Sequence, residues 1–110
     1  MITFNKPHLT GKETHYMYDA VYNEGKISGN GKYTKLCQRF FEDNYGFGKA
    51  LLTTSCTDAL EMAAILIDIK PGDEVIAPSY TFVSTVNAFI LRGAKIVFAD
   101  SKKEHPGIDE

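Results

Sequence analysis

The chain has 110 residues, of which 44% are hydrophobic, and its formal net charge is −2. This length allows one domain at most, and the interleaved acidic and basic side chains leave no basic stripe for a nucleic-acid backbone. The first residues hold no apolar run typical of a signal peptide, and no later stretch is long enough for a membrane span. We therefore predict a soluble cytoplasmic protein with neither nucleic-acid nor membrane partners.

The cysteines and histidines do not form a metal-binding pattern. Cys37 and Cys56 are far apart in the sequence, and neither belongs to a C-x-x-C pair. His8, His15 and His105 do not fall at ligand spacing around them. The sequence therefore predicts neither a metal site nor a disulfide.

The amino-terminal part of the chain, residues 1–48, is predicted to be a helical segment. Thr10 and Glu13 form a capping-box pattern, and the apolar residues that follow at helical spacing predict a helix over 11–24. A glycine-rich loop separates this helix from a second amphipathic helix over 34–45, which a glycine ends.

Residues 49–110 are predicted to form the start of an α/β domain. The predicted strands are 50–53, 74–77 and 95–99, and the predicted helices between them are 57–69 and 82–91. This β-α-β-α-β order implies parallel strands with right-handed crossovers. The helix over 57–69 is apolar on most of its circumference, so we expect it to be buried.

The predicted sheet is incomplete. A parallel sheet needs helices on both faces, and two preceding helices give it little cover. The chain ends in an acidic pair after a turn, as if a further helix were about to begin. Because uncovered strand edges and apolar faces destabilise a domain, we expect these 110 residues alone to show no cooperative thermal transition.

The loop over 53–58 is a candidate anion site. Ligands of an open α/β sheet bind beyond the carboxyl ends of its strands. This loop packs small hydroxyl and thiol side chains into a strand-to-helix turn, where free backbone N–H groups and the helix dipole favour a phosphate. A helix N-cap at Ser55 or Thr57 explains the same residues without a ligand.

The loop over 78–81 is the second candidate. Tyr80 and Phe82 place two rings near the same end of the predicted sheet, where a flat cofactor can stack on an aromatic side chain. Ordinary core packing also accounts for such rings.

Three other hypotheses fit the sequence poorly. The glycines before Lys32 miss the P-loop spacing by one residue, and Tyr33 stands where a Ser or Thr should follow the lysine. The turn over 53–57 has no glycine, which argues against a dinucleotide-binding fingerprint. No histidine lies near Ser55 or Cys56 in the sequence, which argues against a nucleophile.

Six segments resemble the DegT/DnrJ/StrS family of sugar aminotransferases, which have the aspartate-aminotransferase-like fold. They are TSCTDALEM at 54–62, PGDEVI at 71–76, PSYTFVSTVNA at 78–88, RGAKIVF at 92–98, ITFNKP at 2–7 and KISGNG at 26–31. The third and fourth look like the branch that makes dTDP-4-amino-4,6-dideoxygalactose. The likeness covers nearly the whole chain and implies the amino-terminal part of a pyridoxal-phosphate-binding large domain of fold type I.

The resemblance implies a cofactor and substrates. The backbone at Ser55, Cys56 and Thr57, with the Thr57 hydroxyl, would hold the phosphate of pyridoxal 5'-phosphate, and Phe82 would stack on its pyridine ring. Such enzymes take an amino group from glutamate and deliver it to a dTDP-4-keto-6-deoxy sugar. This chemistry serves surface polysaccharides such as lipopolysaccharide and enterobacterial common antigen.

The resemblance also implies what these residues lack. The lysine that carries the cofactor, and the acid that pairs with the pyridinium nitrogen, lie downstream of residue 110 in the family. We therefore expect no catalytic residue here, no such role for Lys49 or Lys70, and a fragment that is inactive alone. Family members are homodimers with shared active sites, and residues 28–33 are expected near the substrate.

Two alternatives remain open from the sequence. One is a non-catalytic remnant or interaction module of the same fold that never carries cofactor. The other is a sugar dehydratase relative that uses the same cofactor and has histidine in place of the lysine.

Overall fold

A computed structural model describes residues 2, 3 and 5–110. Met1 and Phe4 lie outside the described residues. Both belong to the predicted helical segment 1–48, and Phe4 also belongs to the ITFNKP match. The chain divides into two compact units, Met1–Leu52 and Thr53–Glu110. Within the described ranges, no helix has the length and apolar content that a membrane crossing requires.

The first unit begins with a short helix that changes its winding. Helix α1 spans Glu13–Tyr18 and continues as a π-helical turn over Asp19–Asn23. The helix starts two residues later than predicted because Gly11 has φ +82°, which a right-handed helix cannot include. The Glu13 carboxylate accepts the backbone N–H of Thr10 at 2.6 Å, so half of the predicted capping box forms.

Helix α2 spans Lys32–Tyr45. Gly46 ends it in the left-handed conformation at φ +69°, and its N–H donates to the Glu42 carbonyl oxygen at 3.1 Å. The predicted glycine stop is confirmed.

The second unit has the helix and strand order α-β-α-β. Its elements are helix α3 over Cys56–Leu66, strand β1 over Glu74–Pro78, helix α4 over Ser84–Ile90 and strand β2 over Lys95–Ala99. Strands β1 and β2 pair in parallel, with Glu74 opposite Lys95 at one end and Pro78 opposite Ala99 at the other. The α/β class and the parallel pairing through a helical crossover are confirmed.

The strand predicted at 50–53 does not form within the described residues, so the β-α-β-α-β order was wrong by one strand. A strand exists only through hydrogen bonds to a neighbouring strand, and β1 and β2 pair only with each other. The Ala50 N–H instead donates to the Glu42 carboxylate at 2.9 Å. The Thr53 hydroxyl donates to the Ser55 carbonyl oxygen at 2.7 Å.

The turns that precede the two strands contact each other. The Asp73 N–H donates to the Lys70 carbonyl oxygen at 3.1 Å, which closes the turn predicted over 70–73 around Gly72 at φ +101°. Gly93, before β2, has φ +89°, and a Cβ there would lie 2.8 Å from the Pro71 Cγ. Glycine at 93 therefore allows the close approach of the two turns.

The core of the second unit is small. Its buried apolar residues are Ala64 of α3, Ala77 of β1, and Val86 and Ala88 of α4. Ile65, Leu66 and Ile67 are 57%, 75% and 65% exposed. The prediction of a buried helix was wrong, because α3 packs on α4 along one stripe and the rest of its apolar circumference faces solvent.

Candidate functional site

The turn that leads into α3 is held by its own side chains. Ser55 is the N-cap, with extended backbone angles of φ −150° and ψ 163°, and its Oγ accepts the Asp58 N–H at 3.1 Å. The Thr54 hydroxyl donates to the Asp58 carboxylate. Together with the bond from Thr53 to the Ser55 carbonyl, these contacts fix the backbone on both sides of residues 56 and 57.

Two backbone N–H groups at this helix end have no acceptor among the described residues. An α-helix leaves its first N–H groups without an intrahelical partner. The Asp58 N–H goes to the Ser55 Oγ and the Ala59 N–H to the Ser55 carbonyl oxygen at 3.2 Å, so the N–H groups of Cys56 and Thr57 are left. With the positive end of the helix dipole, they offer a site for an anion such as a phosphate.

The Asp58 carboxylate brings a negative charge to the same helix end. Hydrogen bonds from the Thr54 and Ser55 hydroxyl groups hold the pKa of Asp58 below its ordinary value. The carboxylate is therefore ionised at neutral pH, so a phosphate bound at this helix end lies beside a second negative charge.

The loop after β1 presents two exposed rings. The Ser79 N–H donates to the Ala99 carbonyl oxygen at 2.8 Å, which carries the parallel pairing one residue past β1. Phe82 lies in the loop that follows, because α4 begins only at Ser84, and its side chain is 74% exposed. Tyr80 is 77% exposed. Rings this open are not core residues of the described chain and are available for stacking.

The structure brings together three of the four residues predicted to bind a cofactor. Ser55, Cys56 and Thr57 meet at the first turn of α3, whereas Phe82 lies on a different loop of the same unit. The contribution of Asp58 was not predicted from the sequence. The spacing of Ser55 and Asp58, which is that of a capping box, was the available indication.

Lys49 and Lys70, for which we expected no catalytic role, form ion pairs on the surface. The Lys49 Nζ lies 3.3 Å from the Glu42 carboxylate, and the Lys70 Nζ lies 2.7 Å from the Asp68 carboxylate. Pairs this exposed contribute little to stability.

In the first unit, a cleft of about 340 Å³ lies between α1 with its π-helical turn on one side and the start of α2 on the other. At its side, the Lys32 Nζ lies 3.1 Å from the Asp19 carboxylate and 2.9 Å from that of Glu24. The Tyr33 hydroxyl donates to Asp19 at 2.7 Å. Hydrogen bonds from Asn23, Tyr33 and Lys32 hold the pKa of Asp19 well below its usual range. This network ties the π-helical turn to α2.

Comparisons with known proteins match nearly the whole chain. Residues 8–110 match the profile of the DegT/DnrJ/EryC1/StrS aminotransferase family. A GDP-perosamine synthase of Vibrio cholerae is 35% identical over 104 residues, which are 94% of this chain and 28% of that protein. Spr1654 of Streptococcus pneumoniae, provisionally named a sugar aminotransferase, has PLP- and PMP-form structures that share 28% identity with this chain. Its PLP form has a TM-score of 0.80 over 98% of this chain and 27% of its own.

A dehydratase has the same fold. A GDP-4-keto-6-deoxymannose-3-dehydratase gives a TM-score of 0.70 at 22% identity, over 87% of this chain and 27% of its own. The chain spans about a quarter of the length of the proteins that it matches. The fold of the described residues is accordingly part of a fold type I domain, and aminotransferases of this family bind pyridoxal 5'-phosphate. The chain belongs to the DegT/DnrJ/EryC1/StrS aminotransferase family.

Proposed function

We propose that the protein containing these residues transfers an amino group from glutamate to a 4-keto-6-deoxy sugar nucleotide. The observation that carries this proposal is the family match over 8–110. Pyridoxal phosphate, when bound, accepts an amino group from a donor and passes it to a keto carbon. The proposed role of these residues is to bind and orient that cofactor.

The turn before α3 is the proposed phosphate site. The N–H groups of Cys56 and Thr57 would donate to the phosphate, and the Thr57 hydroxyl would add a third donor. The small side chains of this turn leave room for an anion, so the residues fit the group.

Phe82 is the proposed stacking residue. Its ring is 74% exposed, and it follows the carboxyl end of β1, where ligands of parallel sheets bind. Replacement by Leu keeps an apolar side chain but removes the flat face. The test is the affinity for pyridoxal phosphate, which we expect Phe82→Leu to weaken roughly three- to tenfold, as loss of one aromatic stack predicts.

Tyr80→Leu is the matched control for Phe82→Leu. Tyr80 lies on the same loop and is exposed to the same degree, at 77%. We expect Tyr80→Leu to leave cofactor affinity unchanged. If both variants lose the same affinity for pyridoxal phosphate, Phe82 is not the stacking residue.

The nucleotide of the sugar substrate is proposed to be dTDP. The segments at 78–88 and 92–98 resemble the branch that makes dTDP-4-amino-4,6-dideoxygalactose, whereas the GDP-perosamine synthase relatives favour a GDP-linked sugar. Product formation from matched dTDP- and GDP-linked 4-keto-6-deoxy sugars decides between them. A clear preference for the GDP sugar would correct the nucleotide and leave the reaction class in place.

We further propose a cytoplasmic homodimer that serves surface-polysaccharide assembly. In it, residues 1–48 form a helical segment, 49–110 begin the cofactor domain, and residues 28–33 lie near the substrate. The lysine that holds the cofactor is proposed to lie outside residues 1–110, so these residues alone have no activity. Sedimentation equilibrium of the native gene product tests the dimer.

Two alternatives have their own readouts. A non-catalytic remnant retains no pyridoxal phosphate after borohydride reduction. A dehydratase relative, whose fold is shared at 22% identity, retains the cofactor without a covalent link to lysine and yields a deoxygenated sugar in place of an amino sugar.

A further inference from the structure

We infer that Thr54 restrains the Asp58 carboxylate and thereby keeps the proposed phosphate site open. Asp58 and Thr54 are then positioning residues for the cofactor. The inference rests on the proposed cofactor function of this turn.

The turn holds an anion of its own beside two free donors. Asp58 lies in the first turn of α3, where the dipole and unpaired N–H groups attract negative charge. In a capping box, the side chain three residues after the N-cap bends back to the N–H of the N-cap, so its carboxylate comes within reach of the N–H groups that lie between them. The N–H groups of Cys56 and Thr57 precede Asp58 directly, so an unrestrained Asp58 side chain competes with a phosphate for them.

The Thr54 hydroxyl holds the carboxylate in a different place. It donates its hydrogen to the Asp58 Oδ2, which leaves the carboxylate bonded to the residue before the N-cap. The Asp58 N–H is meanwhile fixed on the Ser55 Oγ at 3.1 Å. Asp58 is therefore tied at two points, and the N–H groups of residues 56 and 57 stay available.

A simpler role for these residues makes a different prediction. If Asp58 only stabilises α3 through its charge, loss of the Thr54 hydroxyl changes the free energy of unfolding and affects all ligands alike. If Thr54 restrains a competing anion, its loss weakens the binding of a phosphate-bearing ligand specifically. Removing the charge of Asp58 then restores that binding.

The experiment compares pyridoxal phosphate with pyridoxal, which has the same ring but no phosphate. Affinities of the native gene product are measured for both ligands in wild type, Thr54→Val, Asp58→Asn and the double variant. We expect Thr54→Val to lower affinity for pyridoxal phosphate about tenfold, as loss of one bond to a charged group does, and to leave pyridoxal affinity unchanged. Asp58→Asn in the Thr54→Val background should restore the wild-type affinity.

Thr53→Val is the matched control. It also removes one hydroxyl bond of the turn, to the Ser55 carbonyl oxygen, but it does not release Asp58. Any loss of affinity in Thr53→Val should not be rescued by Asp58→Asn.

Two results would overturn the inference. One is an equal loss for both ligands in Thr54→Val, and the other is no rescue by Asp58→Asn. If the wild-type protein binds pyridoxal phosphate no better than pyridoxal, the proposed phosphate site itself fails, and the inference fails with it.

Discussion

Gly93 is the residue at which a single added methyl group should disturb the second unit most. Its φ is +89°, and a Cβ there would lie 2.8 Å from the Pro71 Cγ, 3.1 Å from the Pro71 Cα and 3.2 Å from the Pro71 Cβ. Pro71 cannot easily move away, because the turn over 70–73 is closed by a bond from Asp73 to Lys70. Gly93→Ala therefore combines backbone strain with a steric clash.

The two costs can be estimated separately. An L-residue at positive φ costs about 1–2 kcal/mol. Overpacking by one methyl group against neighbours that cannot yield costs about 1–3 kcal/mol. Gly93→Ala should therefore lower the free energy of unfolding by roughly 2–5 kcal/mol.

Gly46→Ala separates the strain from the clash. Gly46 also has positive φ, at +69°, but an added Cβ there meets nothing within 4 Å. Urea unfolding of the native gene product should show a loss of about 1–2 kcal/mol for Gly46→Ala and a larger loss for Gly93→Ala. Equal losses would show that the contact between Gly93 and Pro71 does not constrain the fold.

Three further predictions concern the cap of α3, the ion network and the fragment. Ser55→Ala should lower the free energy of unfolding by about 1 kcal/mol, whereas Ser55→Asp keeps the cap but sets a carboxylate at the proposed phosphate site, so cofactor affinity should fall while stability is retained. Because its hydrogen bonds lower the folded-state pKa of Asp19, that residue's contribution to stability is present above its ordinary pKa of about 3.8 and is lost as the pH falls towards the folded value. Asp19→Asn should therefore flatten the acid dependence of the free energy of unfolding below about pH 4, which urea unfolding at a series of pH values measures; an unchanged pH dependence would contradict this. Circular dichroism of residues 1–110 alone should show no cooperative thermal transition; a sharp one would contradict the expected poor stability.

Features that depend on a few adjacent residues could be predicted from the sequence. The stop at Gly46 and the turn over 70–73 follow from the backbone freedom of glycine and the fixed φ of proline. Strand β2 has the predicted bounds, 95–99, because Gly93 ends the preceding helix and a β-branched and aromatic run follows it.

Features that depend on partners distant in the sequence could not be predicted from it. Residues 50–53 have the composition of a strand, but a strand requires hydrogen bonds to another strand. The Ala50 N–H instead donates to the Glu42 carboxylate. The prediction that α3 is buried was wrong for the same reason, since Ile65 and Leu66 are apolar but no other element covers them. An apolar pattern shows which face can be buried and does not supply the element that buries it.

The candidate site divides in the same way. The N-cap role of Ser55 follows from its residue type and its place before α3. The bond from Thr54 to Asp58 depends on side-chain rotamers, and several local acceptors compete for each hydroxyl, so the sequence alone could not select it.

Borohydride reduction of the native gene product after incubation with pyridoxal phosphate, followed by intact mass measurement and peptide mapping, tests whether this protein is a pyridoxal-phosphate aminotransferase. We expect a chain heavier than the 12.2 kDa of these residues, with one stable cofactor label on a lysine outside residues 1–110. If the protein acquires no label, or carries the label on Lys49 or Lys70, the proposed function is wrong.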